Sequence, residues 1–113
     1  MKRDMELIKE IMIRAEKDNF DTNIEGYDKQ IVLNHMKMLI DAGFLDGVFH
    51  MNTEGRRPVV SNVHIKDITW QGYDFLELLK DDEKFAFLKD IGKKLSLEVL
   101  KDAVKTAITT ALT

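Results

Sequence analysis

Apolar residues recur at helical spacing through the first third of the chain. Met5, Ile8, Met12 and Ala15, with Ile11 beside them, place one greasy stripe on residues 4–17. Asp4 suits the cap of that helix, Glu6 suits its first turn, and Asp18-Asn19 ends it. Residues 20–26 are too short for a helix with turns on both sides. They read as a connector with a short extended piece around Asn23-Ile24-Glu25.

Residues 28–42 carry the strongest helical pattern, with Asp28 as the cap and Gly43 as a left-handed stop. At 100° per residue, Ile31, Ala42, His35, Leu39, Val32 and Met36 share one broad arc. Gln30, Asn34, Lys37 and Asp41 form a narrow polar stripe opposite. Leu33 and Ile40 flank the stripe on one side and Met38 on the other.

The period then changes. Residues 47–51 and 59–68 read as two strands joined by the turn cluster Thr53-Glu54-Gly55-Arg56-Arg57-Pro58. Thr69 caps a helix over 70–80, and Asp81-Asp82 can cap another over 83–93. Ser96 can cap a last helix with Leu97, Leu100, Val104, Ala107, Ile108 and Ala111 on one side. The order is helix, short strand, helix, hairpin, helices. It describes an α+β, mostly α chain with a core domain over 1–80. Residues 81–113 form a helical extension that packs on that domain or on a partner chain.

Composition narrows the function classes. The 113 residues are 44% hydrophobic and 33% charged, an ordinary globular balance. The net charge of −3 excludes a strongly basic coat for nucleic acid. The absence of cysteine excludes disulfides and thiolate metal sites. No apolar run approaches a membrane span and no signal-peptide core follows Met1, so the expected location is the cytoplasm.

Catalytic and cofactor signatures are equally thin. No nucleophile elbow, phosphate loop, dinucleotide fingerprint or zinc-protease motif occurs. Of the three histidines, His35 falls at the edge of the buried arc and reads as a hydrogen-bonded core residue. His50 and His64 lie on the two strands and are not expected to face each other. No further ligands accompany them at metal-site spacing. The expectation is a chain with no enzymatic activity, no cofactor and no metal.

Two resemblances sharpen the fold. The segment Val32-Leu33-Asn34-His35-Met36-Lys37-Met38-Leu39-Ile40-Asp41-Ala42-Gly43-Phe44-Leu45 resembles the recognition helix of MarR- and ArsR-type winged-helix regulators. Ile68-Thr69-Trp70-Gln71-Gly72 resembles the L-T-x-x-G that follows the wing in many such proteins. The implied fold is a winged helix with a β-hairpin wing and a C-terminal helical extension. Its helix-turn-helix is degenerate, because residues 20–27 stand where a helix should cross the DNA backbone.

Nearly end to end, the chain also resembles a family of short, uncharacterised proteins of bacteria and their prophages. The resemblance rests on Met1-Lys2-Arg3-Asp4-Met5-Glu6-Leu7-Ile8, Ile24-Glu25-Gly26-Tyr27-Asp28, the His35 helix, and Thr69-Trp70-Gln71-Gly72-Tyr73-Asp74-Phe75-Leu76 with Asp81-Asp82. It implies a bacterial or phage origin and carries no activity.

A winged helix that reads double-stranded DNA needs polar side chains for base edges and cations for phosphates. The leading expectation is a non-enzymatic, DNA-associated regulator whose contacts are Lys29, Gln30, Asn34 and Lys37 on the helix and Arg56, Arg57 and Lys66 on the wing. The competing expectation is a protein interface, an adaptor or inhibitor, because Leu33 and Ile40 flank the stripe where cations would help DNA binding. Trp70 and Tyr73 belong to a helix that is apolar around most of its girth. Winged-helix regulators commonly pair through terminal helices, so the resemblance implies a homodimer, with packing inside one chain as the alternative.

Overall fold

The computed structural model describes residues 3–92. Four helices and one antiparallel hairpin follow in the order α1 (Met5–Glu16), α2 (Lys29–Asp41), β1 (Leu45–Asn52), β2 (Val59–Ile68), α3 (Trp70–Lys80) and α4 (Asp82–Gly92). The architecture is α+β and mostly helical. The last helix expected from sequence lies outside the described residues.

Each helix starts where a side chain takes up orphan backbone donors. Asp4 accepts from the N–H groups of Glu6 and Leu7, Asp28 from Gln30, and Thr69 from Gly72. At the end of α2, Gly43 takes φ 83°, and the Phe44 N–H returns to the Leu39 carbonyl. That reversal sends the chain directly into β1, two residues earlier than the apolar pattern suggests.

The connector between α1 and α2 contains no strand, contrary to the short extended piece expected around Ile24. Burial holds it in place of pairing. Ile24 is buried in the core and Phe20 packs against it.

The hairpin pairs Leu45 with Ile68 at its base and Asn52 with Val59 near its tip. Irregularities at Asp46/Gly47 and His50/Met51 bend the ladder. Its two strands lie along α2, while α1 packs against α2, α3 and α4. One core joins all of these elements. Leu7, Ile8 and Met12 of α1 meet Val32 and Leu39 of α2, Leu45 of β1, Phe75, Leu76 and Leu79 of α3, and Phe85 and Leu88 of α4.

The closest packing is at the start of α3. The rings of Phe44 and Phe75 stack with centroids 4.2 Å apart. A Cβ on Gly72 would stand 2.0 Å from the Phe44 carbonyl oxygen. Only glycine lets α3 approach that carbonyl. The Thr69 hydroxyl completes the joint by donating to the Gly43 carbonyl at 2.6 Å.

Candidate functional site

The polar stripe of α2 is partly occupied by contacts within the chain. The two amide protons of Gln30 go to the Asn34 side-chain oxygen at 3.1 Å and to the Val60 carbonyl of β2 at 3.0 Å. The Lys37 ammonium pairs with Asp41 at 2.6 Å and lies 4.9 Å from the centroid of the Phe49 ring. Asn34 remains half-exposed and Lys29 is exposed at the helix start. Gln30 therefore ties the hairpin to the helix, and the charge of Lys37 is largely balanced by its neighbour.

The apolar flank expected beside the stripe is corrected by the structure. Leu33 is only 3% exposed, and Ile40 is half-buried against the core. The hairpin packs along α2 as a further layer. A flat helical wheel has no way to include that second layer.

Arg56, Arg57 and Lys66 are all exposed, the two arginines in the turn between the strands. Acidic residues share the hairpin. Asp46, Glu54 and Asp67 match these three cations in number, so the hairpin carries no net charge. In the register, His64 faces Val48 and His50 faces Asn62, so the two histidines are not cross-strand partners, as expected. Among the described residues no group of three or more potential metal ligands comes together.

His35 is fully buried. Its Nδ1 lies 2.8 Å from the Ile31 carbonyl, and its Nε2 accepts from the Asp4 N–H at 2.9 Å. Asp4 also receives the Tyr27 hydroxyl. Burial, and then the Asp4 carboxylate, push the Tyr27 phenol above its ordinary value. This cluster joins α1, the connector and α2, and it offers no open position to a ligand.

Among the described residues, the most exposed large apolar side chain is on α3. Trp70 is 88% exposed and Tyr73 47%. The helix divides into a buried side and an open one. Phe75, Leu76, Leu78 and Leu79 are buried, whereas Trp70, Tyr73, Asp74 and Glu77 face outward. Phe87 of α4, 61% exposed, was missed by the sequence reading. The signal was present, because Phe87 lies about 200° around the helix from the buried Phe85.

These features define a small, mostly helical chain with a hairpin arm and an aromatic outer face. The chain belongs to the family described as hypothetical protein (DUF2513), whose model matches residues 2–98. It is also 25% identical to a Haemophilus influenzae protein described as uncharacterized, an alignment that covers 99% of this chain and 96% of that protein. No solved structure matches. Among the described residues, no helix is long and apolar enough to cross a membrane.

Proposed function

We propose that this chain is a non-enzymatic protein-interaction module built on a degenerate winged helix. The winged-helix reading is supported by α1, α2, the hairpin and α3 in that order. The degeneracy lies in the absence of a helix between α1 and α2. The observation that carries the functional reading is Trp70, 88% exposed at the first position of α3. Tryptophan is enriched among interface hot spots, where truncation costs about 2 kcal/mol or more.

The same reading accounts for the α2 stripe. Groove reading would need Gln30 and Lys37 available to DNA, and both already hold internal contacts. The test is affinity capture from a bacterial lysate with the wild-type chain and a Trp70→Ala variant of unchanged circular dichroism. Capture of a defined partner that drops about 30-fold in Trp70→Ala supports the reading. Equal capture by both proteins defeats it.

A second reading, DNA association, is favoured by the adjacent exposed arginines at the hairpin tip. In that case Lys37→Ala and Arg57→Ala weaken binding to duplex DNA and flatten its salt dependence. An absence of salt-sensitive binding to any duplex, followed by fluorescence anisotropy, removes it.

A further inference from the structure

The outward face of α3 has a chemical character of its own. Trp70, Tyr73, Asp74 and Glu77 stand at i, i+3, i+4 and i+7, so they share one side of the helix over about 10 Å. All four are exposed. Two lysines that follow these four in sequence pair with α1. Lys80 reaches Glu16 at 2.7 Å, and Lys89 reaches Glu6 at 3.0 Å, both glutamates belonging to α1. Beyond the end of α3, the first turn of α4 carries exposed Asp82, Glu83 and Lys84.

We propose that this aromatic and acidic face of α3 docks an arginine-containing basic segment of a partner protein. The proposal rests on the protein-interaction reading above and names the chemistry of the partner. Charge complementarity selects it. An indole is the best aromatic acceptor for a cation, and a guanidinium can stack on a ring while its N–H groups reach a carboxylate. Trp70 and Tyr73 supply the rings, and Asp74 and Glu77 supply the carboxylates one turn further on. An apolar helix laid on the same face would strip water from Asp74 and Glu77 without pairing them. A nucleic acid would bring its phosphates against the same carboxylates.

Trp70 is the single tryptophan of the chain, so its emission reports on this face alone. The experiment titrates the full chain with an arginine–alanine repeat peptide, with lysine–alanine and glutamate–alanine repeats as comparisons. The expected result is a saturable change in emission with the arginine peptide, weaker binding of the lysine peptide and none of the glutamate peptide. Added salt should weaken the arginine complex. Asp74→Lys combined with Glu77→Lys should weaken it about tenfold or more with circular dichroism unchanged, since both changes are on the surface.

Binding of the arginine peptide that is insensitive to the double substitution overturns the proposal. Equal response to the glutamate peptide or to duplex DNA also overturns it. So does an emission change that depends on protein concentration alone, because a second copy would then occupy the face. Failure of the arginine peptide while Trp70-dependent capture persists defeats this inference and leaves the protein-interaction reading standing. Capture that ignores Trp70 defeats that reading itself.

Discussion

The imidazole of His35 accepts a hydrogen bond from the backbone N–H of Asp4, 31 residues earlier in the chain, at 2.9 Å. Nε2 must therefore carry the lone pair. Nδ1 carries the proton and donates it to the Ile31 carbonyl. The ring is fully buried, so neither group has water as a substitute. His35→Leu keeps the bulk and removes both hydrogen bonds. It leaves the donor at the entry to α1 unpaired, and the expected loss is about 2–3 kcal/mol in urea unfolding. Nitrogen chemical shifts of the wild-type ring should report the Nδ1–H tautomer. A ring protonated on Nε2 alone would contradict the geometry.

Gly72 tests how tightly α3 is seated. A methyl group there would meet the Phe44 carbonyl oxygen at 2.0 Å and Cγ2 of Ile68 at 2.6 Å. The carbonyl cannot retreat freely, since it accepts the Thr69 N–H at 3.2 Å. The ring stack of Phe44 on Phe75 depends on the same approach. Gly72→Ala should destabilise the chain by about 1–3 kcal/mol, despite the better helix propensity of alanine. Thermal unfolding of the variant measures this. An unchanged midpoint would mean that α3 can shift without loss.

Local signals explain why the elements were legible in the sequence. Asp4, Asp28 and Thr69 are short polar side chains just before apolar helical patterns, and each caps its helix as read. The left-handed stop at Gly43 was legible for the same reason, because that role belongs to the backbone. Contacts between layers were not legible. The polar stripe of α2 was read as open, yet Gln30 reaches across to Val60, 30 residues later. A helical wheel records which residues share a side and is silent on what that side meets. The extended piece around Ile24 failed in a related way. An apolar residue between polar ones fits a strand edge and a single buried plug equally well, and the core received it as a plug.

Leu33 separates those two views by experiment. As an exposed flank, it would tolerate Leu33→Glu with loss only of a partner. As a buried side chain, it cannot. The substitution would bury a carboxylate at a position only 3% exposed, where it loses most of its water. Leu33→Glu should therefore yield a poorly folded chain. Leu33→Ala should fold with a loss of about 2–4 kcal/mol. Urea unfolding of the alanine variant is the decisive measurement. A change within the scatter of ordinary surface substitutions would restore the exposed-flank view.

Tyr27 gives the fold a dependence on alkaline pH. Its phenol is raised above the ordinary value of 10.0, first by burial and then by the Asp4 carboxylate that its hydroxyl faces. The folded state thus holds the phenolic proton more tightly than the unfolded chain does. The stabilisation is fully present below the unfolded value and is lost as pH rises through the folded one. In Tyr27→Phe no such proton exists, and the difference in melting temperature between wild type and variant should shrink as pH rises through that window. Ultraviolet titration of the phenols should show the matching loss of a step above pH 10 in the variant. The direction follows from which side of the equilibrium binds the proton. A gap that widened with rising pH would mean that the folded chain favours the phenolate, and so that the Asp4 carboxylate does not face the Tyr27 hydroxyl in solution.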